Sequence, residues 1–166
     1  YLKSWIVSAK GIRDIDVIRT FVLQGTLNFT RYFFKIRQKR KFVIGKHHRE
    51  IAAALDKVLC GEITRLIINI APRYGKTELA VKNFIAEGLA INPKAKFIHL
   101  SYSDDLARDN SRGVQDIINE PEYRRIFPAT IPTSTNTKKW YTTEGGGLYA
   151  VSSAGQVTGF GAGLVD

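Results

Sequence analysis

Along residues 14–42, apolar side chains recur at Val17, Ile18, Phe21, Val22, Phe29, Phe33, Phe34 and Ile36 among helix-forming residues. Spacings of three and four place them on one face of a helix, the stripe that turns toward a core. Gly25 and Asn28 divide the stretch into two predicted helices. The same period returns at residues 47–59 (HHREIAAALDKVL), an amphipathic helix stopped by Gly61. Then the pattern changes. Residues 63–70 (ITRLIINI) are rich in β-branched residues and bounded by a turn, which predicts a buried strand. Residues 76–90 predict a helix ended by Asn92-Pro93. Residues 96–103 (KFIHLSYS) predict a second strand, and residues 104–119 a helix with Ser103 or Asp104 as its N-cap. Strand, helix, strand, helix at these lengths predicts a parallel sheet with right-handed crossovers.

After residue 120 the pattern breaks. Pro121, Pro128 and Pro132 predict a loop, with Ser and Thr at residues 133–135 and 137. Residues 139–143 and 148–152 predict short strands around Glu144-Gly145-Gly146-Gly147, a hairpin. Residues 155–163 form a glycine-rich loop.

The chemistry lies between the first predicted strand and the helix after it, in Ala71-Pro72-Arg73-Tyr74-Gly75-Lys76-Thr77. Gly75-Lys76-Thr77 meets the second half of the phosphate-loop pattern G-x-x-x-x-G-K-[ST], while Ile70 occupies the first glycine position. A Gly-Lys-Thr tripeptide alone recurs by chance. Its place between a strand and a helix is what gives it meaning. Backbone N–H groups of residues 73–77 can turn around a phosphate, aided by the positive end of the following helix. Gly75 allows close approach of the backbone. Lys76 is a point charge for the β and γ phosphates, and Thr77 offers Mg²⁺ a hydroxyl oxygen. Arg73 adds a planar cation for the γ phosphate, or else pairs with an acidic neighbour. The expected fold class is therefore α/β, a P-loop NTPase-type parallel sheet flanked by helices. An N-terminal helical segment covers residues 1–45 and a partial P-loop ATPase domain residues 46–166.

Composition adjusts this picture modestly. The 166 residues suffice for one domain with a core, and the apolar share is 44%. A formal charge of +10 favours polyanionic partners. Its densest local expression is Lys35, Arg37, Lys39, Arg40 and Lys41, either a set of nucleic-acid phosphate contacts or a solvated helix end. Cys60, the single cysteine, excludes an internal disulfide and reads as a small buried apolar residue. No apolar run approaches the roughly 20 residues of a membrane helix, and the start is too soon broken for a secretion signal.

The run Ile67-Ile68-Asn69-Ile70-Ala71-Pro72-Arg73-Tyr74-Gly75-Lys76-Thr77-Glu78 resembles the variant phosphate loop of the large terminase subunit, the DNA-packaging motor of tailed bacteriophages and prophages. The resemblance continues at Ser101-Tyr102-Ser103-Asp104-Asp105-Leu106-Ala107, Asn110-Ser111, Tyr123-Arg124-Arg125-Ile126-Phe127-Pro128, Trp140-Tyr141-Thr142-Thr143 and Thr158-Gly159-Phe160-Gly161. It covers about two thirds of the chain and little of residues 1–44. It implies ATP hydrolysis, with Mg²⁺, coupled to translocation of double-stranded DNA into a capsid shell in the bacterial cytoplasm. It also implies a ring oligomer with a portal protein and a small terminase subunit as partners. Ala71 to Glu78 would hold the nucleotide, Arg73 and Lys76 would act in catalysis, and Thr77 would bind Mg²⁺. His47 and His48 match the stretch near the family's adenine pocket, against the alternative of a surface helix start. Family members carry a Walker B strand ending in two acidic residues after the glycine-rich loop, then a nuclease domain. Leu164-Val165-Asp166 is too short an apolar run to be that strand. The expectation is thus a partial ATPase site that hydrolyses poorly, with endonuclease activity belonging to the full-length protein. Two other readings stay open: a helicase-like or kinase-like P-loop protein, and a non-enzymatic basic DNA-binding or assembly module with a vestigial loop.

Overall fold

The computed structural model describes residues 14–153 and 161–162. Its elements run α1 (Asp14–Val22), α2 (Thr26–Gln38), α3 (Lys46–Leu59), a π-helical stretch (Glu78–Asn83) continuing into α4 (Phe84–Ile91), β1 (Lys96–Ser101), α5 (Asp104–Asn119), α6 (Pro121–Ile126), β2 (Lys139–Tyr141) and β3 (Gly147–Ser152). The architecture is mixed α/β, mainly helical, with a small mixed sheet in the order β1-β3-β2. The glycine-rich loop lies almost wholly outside the described residues, as do residues 1–13 of the N-terminal segment.

The helices start and stop where local chemistry allows. Thr26 N–H, at the start of α2, donates to Asp56 Oδ1 of α3 at 2.7 Å, so a carboxylate serves an otherwise unpaired helix-start donor. Gly61 ends α3 at φ 77°, with its N–H on Val58 O and the Glu62 N–H on Lys57 O. This left-handed termination is the one glycine adopts without a Cβ penalty. The helix after the Ala71–Gly75 loop is predicted as regular, but it opens into a π-helical stretch. Phe84 N–H bonds the Leu79 carbonyl, five residues back. The Asn83 side-chain amide reaches the Glu78 carbonyl at 2.8 Å and its carboxylate at 3.0 Å. Pro121 does not mark a loop; it sits in the first turn of α6, where its missing N–H costs nothing.

The predicted hairpin forms, with Trp140 opposite Leu148. β3 also pairs in parallel with β1, Lys96 against Gly147 through Ser101 against Ser152. Residues 63–70 depart from expectation. They form no ladder among the described residues. Leu66, Ile68 and Ile70 pack against Ile51 and Leu55 of α3 and Leu79, while Ile67 is 93% exposed. The period of two is therefore real, but one face is met by helices and no strand pairs with the edge. Cys60 is also exposed, not buried, because it follows the last turn of α3.

The main core joins α1, α2, α4, α5, α6 and the sheet. Its centre is aromatic: Phe29 and Phe33 of α2 meet Tyr123 and Phe127, with ring centroids 4.6–6.3 Å apart. The polar tips of two buried rings are satisfied, Tyr123 Oη donating to Ala86 O at 2.8 Å and Trp140 Nε1 to Ser111 Oγ at 2.9 Å. No described helix is long and apolar enough to cross a membrane.

Thr26 and Thr30, one turn apart on α2, are fully buried, as are Asn83 and Glu87 on the helix packed against it. Burial is the largest influence on Glu87 and raises its pKa from 4.5 to about 8. Between those values the unfolded chain has released a proton that the folded chain retains. The stabilisation from the neutral carboxyl is thus complete below pH 4.5 and is lost as pH rises through about 8. Urea denaturation is expected to show stability falling by roughly 1 kcal/mol per pH unit across that window. Glu87→Gln should flatten the fall, and an unchanged slope in that variant would assign it to other groups.

Candidate functional site

The loop from Ala71 to Gly75 carries two left-handed residues, Arg73 at φ 68° and Gly75 at φ 73°. For Gly75 this conformation is free. For Arg73 it costs on the order of 1 kcal/mol and must be held by its surroundings. A Cβ on Gly75 would also fall 2.8 Å from His48 Nε2 and 3.4 Å from Phe42 Cζ. A helix follows at once. Leu79 N–H closes on Gly75 O at 3.0 Å, so the N–H groups before it face out of the helix start.

Ala71, Pro72, Arg73, Gly75, Lys76, Thr77 and Glu78 line one cavity of about 440 Å³. These are all but one of the eight residues expected at the loop. The eighth, Tyr74, lines a second cavity of about 530 Å³, which shares Arg73, Gly75 and Glu78 with the first. His47 and His48 both line this larger cavity, so they are not a bare surface helix start. His48 is buried at 7% exposure. Burial, and secondarily the neighbouring His47, holds its pKa below the ordinary histidine value.

The larger cavity has an aromatic wall. Phe34 and Phe42 are 5.1 Å apart between centroids, Phe42 and His48 4.9 Å, and His47 and Tyr74 5.4 Å, each pair edge to face. Phe42 was not legible as a site residue because it closes a basic run. Only the irregular segment of residues 41–45, between two helices, brings it beside Gly75.

The basic set divides in two. Lys35, Lys39, Arg40 and Lys41 are exposed, and Arg40 and Lys41 line the larger cavity. Arg37 does not belong with them. Its side chain is 10% exposed and binds Glu78 Oε1 at 2.8 Å. Glu78, expected among the nucleotide contacts, lines both cavities with its carboxylate committed to Arg37 and Asn83. No group of three or more His, Cys, Asp or Glu among the described residues could hold a metal ion. No protein-family model matches this chain, and neither does any curated protein or solved structure.

The Arg37–Glu78 pair neutralises a negative charge that would otherwise face any anion in the loop. Removing either partner leaves a largely buried charge unpaired. In urea denaturation, Arg37→Ala is expected to cost about 1–3 kcal/mol, and the Arg37→Ala/Glu78→Gln pair less than the sum of the singles. Additive losses would mean that the two side chains do not act together.

Proposed function

We propose that this chain is the nucleotide-binding part of a P-loop ATPase. The observation that carries the reading is the joined pair of cavities: one wrapped by residues 71–78 at a helix start, the other walled by aromatic rings. The first suits the phosphates and the second suits a base. Gly75 gives the backbone its approach, Lys76 supplies a cation, and Arg73 a second one beside it. Arg37 keeps Glu78 from opposing the anion. Thr77 would hold Mg²⁺ through its hydroxyl, together with phosphate oxygens and water, the ligand set this ion favours. Mg²⁺ would neutralise charge developing on the β and γ phosphates. Glu78 is the one carboxylate lining either cavity among the described residues, and its ion pair withholds it from activating water. Nucleotide binding is therefore expected to be stronger evidence of function than turnover.

Within that class, the resemblance of residues 67–78 and the downstream segments supports the motor of a phage-type large terminase, packaging double-stranded DNA. The portal protein, the small terminase subunit, a ring assembly and a bacterial cytoplasmic setting belong to the same proposal. The exposed Lys39, Arg40 and Lys41 support a polyanion partner. A helicase-like motor shares the same core.

Calorimetry with ATP and Mg²⁺ tests the central point. Lys76→Ala is expected to weaken binding roughly 10- to 100-fold while the fold is retained. Equal binding by both chains would remove the loop from the site and leave a basic assembly module. For the DNA side, fluorescence anisotropy on duplexes of unrelated sequence should show binding that weakens steeply with salt. Replacing Lys39, Arg40 and Lys41 by alanine should lower the salt slope by roughly 0.9 for each phosphate that is no longer neutralised. Salt-insensitive or sequence-selective binding would count against a motor track.

A further inference from the structure

We infer that His48 is the positioning residue that sets the direction of the Tyr74–Gly75 peptide and so turns the Gly75 N–H into a phosphate donor. The inference rests on the nucleotide-binding reading and goes beyond it by naming what holds the loop in its binding shape.

The hydrogen bonds around the ring determine its tautomer. Gly45 N–H donates to His48 Nδ1 at 2.9 Å, so Nδ1 carries a lone pair. The proton of the neutral ring is then on Nε2. That N–H donates to the Tyr74 carbonyl at 3.0 Å. His47 Nε2 lies 3.2 Å from the same nitrogen and must present its own lone pair, which puts its proton on Nδ1. The two neutral rings thus form one ordered chain from Gly45 to the loop.

The Tyr74 carbonyl lies between the two left-handed residues, Arg73 and Gly75. The peptide is trans and planar, so a carbonyl aimed at His48 sends the Gly75 N–H the opposite way. Gly75 lines both cavities, whereas His48 lines only the larger. In this inference the amide sent away from His48 serves the smaller cavity, whose lining Gly75 shares with Arg73, Lys76 and Thr77. The ring also fills the space a Gly75 Cβ would need, and it rests on Phe42.

A proton added to Nδ1 would face the Gly45 N–H and break the chain at its first link. The charged groups facing the pair are Arg40 and Lys41 from the segment after α2 and Arg73 and Glu78 from the loop side. Glu78 is neutralised by Arg37, so the remaining charge there is cationic and opposes imidazolium. With the folded-state pKa of His48 lowered, the brace is complete above the ordinary histidine range and is lost as pH falls through the lowered value.

The test uses the 166-residue chain. Long-range ¹H–¹⁵N spectra of histidine-labelled wild type should show His48 protonated on Nε2 and His47 on Nδ1. His48→Phe keeps the ring packing and removes the donor; His48→Gln restores a donor that does not titrate. His48→Phe should shift the Gly75 amide resonance and weaken ATP binding about tenfold. His48→Gln should recover most of that affinity and lose the part of the acid dependence that is not the nucleotide's own. A His48 protonated on Nδ1, or a Gly75 amide unmoved in His48→Phe, overturns the inference without any nucleotide present. If Lys76→Ala abolishes binding while His48→Phe binds as wild type with the same pH profile, the brace fails and the nucleotide site stands. If Lys76→Ala binds as wild type, the nucleotide reading fails, and the spectra alone decide whether His48 sets the peptide.

Discussion

The packing of α2 against the helix that follows the Ala71–Gly75 loop is the constraint on which the remaining architecture turns. One part of that contact is apolar, with Phe29 and Phe33 anchored in the aromatic core. The other is polar and charged. Thr26 and Thr30 on α2, and Asn83 and Glu87 on its partner, are buried, and Arg37 closes on Glu78 at the loop end. Hydrophobic burial supplies most of the favourable energy but no direction. The Arg37–Glu78 ion pair supplies direction, because it forms only when the two helices meet in the register that brings these side chains together.

That register is local to the chemistry. Glu78 sits two residues after Lys76, so clamping its carboxylate also clamps the helix start that faces the smaller cavity. Asn83 takes the Glu78 carbonyl and the same carboxylate, and the π-helical stretch spans the distance between them. A widened turn at this place is a small departure from regular helix with a recognisable cause, a side-chain amide reaching back to the carbonyl five residues before it. The electrostatic result is a loop edged by Arg73 and Lys76 with the neighbouring Glu78 neutralised by Arg37.

On the opposite side, the segment after α2 turns back beneath the loop. Lys39 takes a left-handed conformation at φ 53°, which ends the helix, and residues 41–45 follow as an irregular segment. Phe42 and the two histidines then meet Tyr74 and Gly75. The loop is thus held from two directions, by an ion pair on its helix side and by an imidazole on its turn side. Each hold uses a residue from the N-terminal half of the chain, so the helical segment and the loop form one structural unit.

Much of this was legible locally. Periodicities of three and four placed α1, α2 and α3, since an amphipathic stripe is written in the spacing of side chains, and the Ser103 cap marked the start of α5. Gly61 marked a helix end, and the hairpin followed from short apolar runs around three glycines. The loop residues came together as expected because they are neighbours in the chain. Residues 63–70 show the limit of such patterns. Alternation specifies a face to bury, but not whether a strand or a helix will cover it, and here α3 does. The pairing of Arg37 with Glu78, the place of Phe42 and the burial of His48 were equally out of reach, because each joins residues 26–41 positions apart. Such contacts depend on how the helices dock, and docking is decided by the whole core at once. By itself, then, the sequence determined which glycine, lysine and threonine share one short loop before a helix; the tertiary structure decided which charges surround that loop and which side chains contact its backbone, because those contacts join distant parts of the chain.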